Sequence, residues 1–270
     1  MTIFTWCSPR YFPFQYVMLR TLRMHTCEVP VTLLLLDFSE DEIVKAQNIV
    51  QTFAPIQIEL GFSRDYPQAS DLFQFYRNCR VDFFLKALDD NPEDSLITIA
   101  ANALVRQDIS FMYDWLQKYE FVFLQRRNRV LRQVRRLRDF PKFATPEQAV
   151  NLQFLARNVL LGTHAMQNTD RVRSVLRRWQ ELIHTEGNIN LMWSDMGNFV
   201  RAFLEAEATP GTAPFLIKSS PLVCDCRQGE GTAIWFAKNA RKRRNNKTYK
   251  DVALPLIAEI KDTWGECPWL

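Results

Sequence analysis

Glycine is scarce in this chain, with eight residues in 270. Neither G-x-G-x-x-G nor the P-loop pattern occurs, which argues against a Rossmann dehydrogenase and a P-loop NTPase. No stretch approaches ~20 uninterrupted apolar residues, so no segment reads as a spanning helix. The opening MTIFTWCSPRYF lacks the basic-then-apolar order of a secretory signal. Histidine is rare and scattered: His25, His164 and His184. The close pair Cys224-Asp225-Cys226 has neither a second pair nor a well-placed histidine to complete a zinc site. A G-x-S-x-G nucleophile elbow is missing as well. Cys7, Cys27, Cys79, Cys224, Cys226 and Cys267 are spread along the chain without a dense framework, so reduced thiols and a cytoplasmic location are expected.

What is present is the composition of an ordinary globular protein, 47% apolar and 24% charged. That excludes a disordered tail, a collagen-like chain and a coiled coil. With no Pro/Gly/Ser linker long enough to separate two units, one domain over residues 1–270 is expected. The net charge of +4 is mild, but the arginines are clustered. Arg126–Arg138 reads RRNRVLRQVRRLR and Lys238–Lys250 reads KNARKRRNNKTYK. Two such blocks imply a local positive surface for an anionic ligand: a phosphorylated small molecule, a nucleic acid or a membrane face.

Hydrophobic patterning predicts an α/β fold. Thr2–Trp6 reads as a strand, then Phe14, Val17, Met18, Thr21 and Leu22 recur at helical spacing behind Pro13. Val29–Leu36 is an apolar run suited to a parallel strand buried on both faces. Ser39 and Glu42 form a capping box before a second helix, and Pro55–Leu60 reads as a third strand. A helix over Asp71–Leu88 leads to a fourth strand, Ser95–Ala100. This alternation predicts a mostly parallel sheet flanked by helices. Further on, helices are expected at Ile109–Tyr119, Asn168–His184, Trp193–Ala208 and Ala253–Trp264, with a strand at Phe121–Leu124. His184 then falls at a helix C-terminus, where positive charge suits the dipole. Ligands of such a sheet bind beyond its strand C-termini. That directs attention to Trp6–Phe12, Ala100–Val105 and Phe121–Arg127.

In these segments the chain resembles nucleotide-sugar-dependent glycosyltransferases of the GT-A fold. The strand leading into Tyr11-Phe12-Pro13 resembles the family's opening, whose loop cradles the nucleotide. SLITIAANALVRQDIS, Ser95–Ser110, looks like the strand that ends in D-x-D. Phe73–Leu88, with Tyr76, Arg77, Arg80 and Lys86, resembles the helix that gives the donor a basic residue. Trp193-Ser194-Asp195-Met196 is similar to an acidic helix start near the sugar, and Ala233–Asn239 to the late I-W-H-x-K-G region. The resemblance spans most of the chain in order. It implies a single GT-A-like domain, with residues 1–125 as the nucleotide-sugar half and 126–270 as the acceptor half. The activity implied is transfer of a sugar from a nucleotide diphosphate, UDP first among them, to an acceptor hydroxyl. Donor-binding candidates are Thr5, Cys7, Tyr11, Arg77, Arg80, Asn102 and Lys238. Asp195 and Asn102 are the candidates near the chemistry.

The departures from the family pattern concern its metal. D-x-D sets two carboxylates on Mg²⁺ or Mn²⁺, but the aligned residues are Ala100 and Asn102, and Phe236 replaces the late histidine. No normally held metal is therefore expected. Three readings stay open. The enzyme neutralises the diphosphate with cations such as Arg77, Arg80, Lys238, Arg241 and Lys242; it is a catalytically dead relative that binds a nucleotide sugar or merely a partner; or Ala100 is an engineered replacement of an aspartate. Arg129, Arg132 and Arg136 are expected on one face of an amphipathic basic helix, opposite Val130, Val134 and Leu137. Arginine binds phosphate bidentately, so these three are the acceptor-binding candidates, with modified DNA or a phosphorylated glycan as the acceptor. The rival class is a non-catalytic protein docking on nucleic acid or an acidic partner through the same segment.

Overall fold

The first strand, β1 (Thr2–Cys7), is buried along nearly its whole length, and its side chains alternate between two separate apolar layers. Ile3 and Cys7 enter one layer while Phe4 and Trp6 enter the other. A strand covered on both faces is central by necessity, and β1 indeed pairs in parallel with both β2 (Val31–Leu36) and β4 (Leu96–Ile99). The structure, a computed structural model, describes residues 1–26, 28–66, 75–76, 78–125, 159–185, 194–207, 216–219, 224–225, 233–236 and 247–265.

Beyond β2 lies β3 (Ile56–Gly61), in parallel register with Leu33 opposite Ile58. On the far side of β4 comes β7 (Val159–Met166), antiparallel to β4 and to β6 (Phe121–Gln125), and β8 (Leu216–Ser219) closes the row in parallel with β6. The sheet order is β3-β2-β1-β4-β7-β6-β8. Six strands therefore run one way and only β7 the other, as the sequence pattern of a mostly parallel sheet predicts. A second small sheet has the order β5-β10-β9, from β5 (Ala103–Val105), β9 (Cys224–Asp225) and β10 (Ile234–Phe236).

Helices cover both faces, giving a single α/β domain. On the face of Ile3 and Cys7 lie α1 (Phe12–His25), α2 (Glu40–Val50) and α4 (Phe111–Leu116). On the face of Phe4 lie α3 (Arg80–Asp90), α5 (Asp170–His184) and α6 (Ser194–Glu207). The predicted capping box is present: the Ser39 hydroxyl accepts from the Glu42 N–H, and the Glu42 carboxylate accepts from the Ser39 N–H at 2.9 Å. On α5 the apolar residues Val172, Val175, Leu176, Trp179, Leu182 and Ile183 are all buried, and its cap is Thr169. The C-terminal helix expected as one piece is two, α7 (Lys247–Ala258) and α8 (Lys261–Trp264), with Ile260 buried at the break.

Two arrangements matter for the site. The chain lays β1, β2 and β3 outward in one direction and then returns to place β4 on the other side of β1. That reversal is the topological switch point at which open α/β sheets bind ligands. The small sheet is fixed beside it: Leu104 of β5 packs with Phe14 and Val17 of α1 and with Tyr249, Ala253 and Ile257 of α7. The Val105 N–H adds a bond to the Thr21 hydroxyl of α1 at 3.1 Å.

Candidate active site

At the switch point β1 runs out into Ser8 and the short turn Pro9–Tyr11, which leads directly into α1. Ser8 is buried, and its carbonyl accepts from the Tyr11 N–H at 2.8 Å. Next to it, β2 ends at Asp37, the one non-glycine residue with positive φ (56°) among the described residues. Asp37 holds this left-handed conformation because both its ends are tied. Its N–H donates to the Gly61 carbonyl at 2.9 Å, and its Oδ1 accepts from the Ser63 N–H at 2.6 Å. Backbone held in a sparsely populated region tends to mark sites.

Tyr76, just ahead of α3, lies beside these two strand ends, its hydroxyl near the Asp37 carboxylate and the Ser8 hydroxyl. Asp37 Oδ2 is buried without a hydrogen-bond partner. Burial first, then the nearby Asp37 charge, push the phenol up to about 12. The group therefore stays a protonated donor throughout the physiological range. Ser8 and Asp37 were not singled out by sequence reasoning. The available signal was an acid directly after the buried run VTLLLL, at a sheet edge where such sites form.

The end of β4 supplies the other half. Ala103 donates its N–H to the Ala100 carbonyl at 3.0 Å, closing a tight turn over Ala101 and Asn102. From there β5 runs antiparallel to β10, with Ala103 opposite Phe236, Leu104 opposite Trp235 and Val105 opposite Ile234. The Arg106 N–H extends the ladder to the Ala233 carbonyl at 2.8 Å. Position 236, more than a hundred residues downstream, is thereby brought to the same turn as positions 100 and 102. The residues there do not suit a hard divalent cation: a methyl group, one neutral amide and a phenyl ring offer a single uncharged oxygen. Among the described residues, no group of three or more His, Cys, Asp or Glu could hold a metal ion.

The sequence-derived candidates separate onto different faces. Thr5 is fully buried, and its hydroxyl donates to Gln15 Oε1 of α1 at 2.9 Å. Cys7 lies in the same layer, where burial pushes its thiol well up. Tyr11 is 46% exposed at the edge, its ring 6.0 Å from that of Phe14. Asn102 sits partly exposed in the Ala100–Ala103 turn. Arg80 belongs to the opposite face: it is only 7% exposed, with its guanidinium 5.4 Å from the Trp6 ring and 6.0 Å from the Trp179 ring. Arg80 is thus held in the core. Asp195 is the second residue of α6, in its first turn. Arg77, Lys238, Arg241, Lys242 and the acceptor candidates Arg129, Arg132 and Arg136 lie outside the described residues.

A second polar cluster adjoins Arg80. Asp82 accepts from the Tyr66 hydroxyl and from Gln180, both at 2.6 Å, and lies 3.5 Å from His184 Nε2. The expected helix-dipole role of His184 is thus joined by a carboxylate, whose hydrogen bond raises the imidazole above its ordinary value.

No protein-family model matches the chain, and no curated protein matches it by sequence. Solved structures match it in shape. The galactosyltransferase LgtC, in complex with donor and acceptor sugar analogs, superposes with a TM-score of 0.60 at 11% identity, over 97% of this chain and 100% of LgtC. An active-site mutant of LgtC gives 0.57 at 12% identity, over 94% and 96% of the two chains. The apo bifunctional glycosyltransferase WbbM gives 0.57 at 10% identity, over 100% of this chain and 50% of WbbM. The fold of this chain is therefore that of the GT-A-like glycosyltransferases. At such identities the likeness is one of fold, and the site has to be argued from its own residues.

Proposed function

We propose that this protein transfers a sugar from a nucleotide diphosphate sugar to an acceptor hydroxyl. The observation that carries the reading is the convergence, at the switch point of a GT-A-like sheet, of the Ser8–Tyr76–Asp37 group with the Ala100–Ala103 turn and β10. A protonated phenol, a carboxylate and the exposed ring of Tyr11 give the nucleoside hydrogen bonds and a stacking surface. Asn102 reaches the ribose or phosphate through its amide. Arg80 supplies positive potential from the core side, with Arg77 and Lys238 as its proposed partners. Thr5 and Cys7 act by fixing the end of β1.

In the transfer, the bond from the anomeric carbon to the diphosphate breaks and a bond from that carbon to the acceptor oxygen forms. The diphosphate departs with the electron pair, and the acceptor hydroxyl gives up its proton. Asn102 is a neutral amide and takes no proton; Asp195 is the proposed base or stabiliser of positive character. Arg129, Arg132 and Arg136 form the proposed acceptor wall for an anionic acceptor such as DNA or a phosphorylated glycan.

The test is release of nucleoside diphosphate from a panel of nucleotide sugars, with and without acceptors. Release that depends on acceptor and falls by about tenfold or more in Asp195→Asn supports the reading. The metal-ligand positions occupied by Ala100 and Phe236 favour one rival, a GT-A-like protein that binds without catalysis. Tight nucleotide-sugar binding with no release over hours would establish that rival instead.

A further inference from the structure

The register of β5 on β10 and the identities at three converging positions bear on how the diphosphate is held. We propose that this protein binds its nucleotide diphosphate without a divalent cation, the charge being met by protein cations led by the buried Arg80. The inference rests on the nucleotide-sugar reading above and specifies how that site works.

The geometry is a matter of backbone. The Ala103-to-Ala100 hydrogen bond sets positions 100 and 102 on one tight turn, and the pairing of Ala103 with Phe236 sets position 236 across from it. An ion at this turn would find one amide oxygen in place of a charged set, whereas Mg²⁺ and Mn²⁺ are held through carboxylates and phosphates in a shell of about six oxygens. The acids at the neighbouring strand ends lie off this turn. Asp37 Oδ1 accepts from the Ser63 N–H at the end of β2, and its Oδ2 has no hydrogen-bond partner. Asp108, beyond β5, accepts from the Ser110 hydroxyl at 2.6 Å and from Thr26 at the far end of α1.

Positive charge is set in the layer on the sheet's other face. The Arg80 guanidinium is held between Trp6, at the C-terminal end of β1, and Trp179, so it lies at the ligand edge of the sheet and within a low-dielectric layer. A fixed charge there acts on a phosphate with little solvent screening.

Calorimetric titration of the full-length protein with UDP, GDP, ADP, CDP and TDP, in EDTA and then in excess Mn²⁺, tests this. The expected result is binding of at least one nucleotide whose affinity differs by no more than about twofold between the two conditions. Two variants sharpen it. Arg80→Gln is expected to weaken the diphosphate about tenfold while leaving the corresponding nucleoside unchanged. The triple variant Ala100→Asp, Asn102→Asp, Phe236→His is expected to acquire Mn²⁺-dependent tightening of about tenfold or more, because the three positions share one turn. Wild-type binding that EDTA weakens about tenfold or more would overturn the metal-free proposal and leave the nucleotide reading intact. No binding of any nucleotide in either condition would overturn both. Should Arg80→Gln not fold, the wild-type comparison decides alone.

Discussion

Tyr76 stands beside both strand ends, its hydroxyl near Ser8 and the Asp37 carboxylate. Tyr76→Phe deletes one hydroxyl with no change of shape, at a cost of about 1 kcal/mol. The expected result is nucleotide affinity lowered about tenfold with a modest fall in melting temperature, read by calorimetry and thermal denaturation. Gly61 holds the same corner by being small. A Cβ there would lie 2.9 Å from Leu36 Cδ2 and from Phe83 Cζ, and the Gly61 carbonyl anchors Asp37. Gly61→Val should therefore destabilise the fold by about 1–3 kcal/mol, measured by denaturant unfolding. His184 gives a pH signature. Its Asp82 partner raises the imidazole above 6.5, its ordinary value, so the pair's contribution is complete below that value. It is lost as pH rises through the raised one. Thermal stability should fall as pH rises above 6.5, and the part due to this pair should vanish in His184→Gln.

Elements with a long, regular apolar pattern were legible before any coordinates. β2 reads as six consecutive buried residues, and α5 shows its stripe from Val172 to Ile183 because both are long enough for periodicity to register. β5, β9 and β10 contain two or three residues each, too few for any period, and only their pairing defines them. β7 escaped notice for a different reason. It carries Thr163 and His164, both fully buried, and the His164 ring is accommodated by the Thr98 hydroxyl at 2.8 Å and by Phe84 and Phe121. The site divides along the same line. The approximate positions of the edge loops follow from strand order, and the resemblance alone points to the Ala233–Asn239 segment. Which side of β1 Thr5 and Cys7 face depends on the pleat against α1, and the Asp37 corner depends on Gly61 and Ser63. A further expectation belongs to α5. Trp179→Ala should cost about 3–5 kcal/mol by chemical denaturation, since it removes a fully buried ring and one of the two aromatic faces around Arg80.

Across the whole molecule, a single α/β domain presents the C-terminal edge of its mostly parallel sheet as the proposed nucleotide site, and the sequence adds a basic block at Arg126–Arg138. Shape alone relates the chain to LgtC and WbbM, and the identities at positions 100, 102 and 236 are the basis of the metal-free proposal. If the arginine block meets a polyanionic acceptor, association with duplex DNA should weaken about tenfold or more between low and moderate salt, as read by fluorescence anisotropy. No helix among the described residues is long and apolar enough to cross a membrane.

Hydrogen–deuterium exchange with and without a nucleotide sugar tests the central claim most directly, because it reports where the ligand sits as well as whether it binds. The account predicts slowed exchange in the turn after β1, at Asp37–Phe38, around Tyr76 and Arg80, and through Ala100–Val105 with β10. Protection confined to other surfaces, or none under saturating nucleotide sugar, would contradict it.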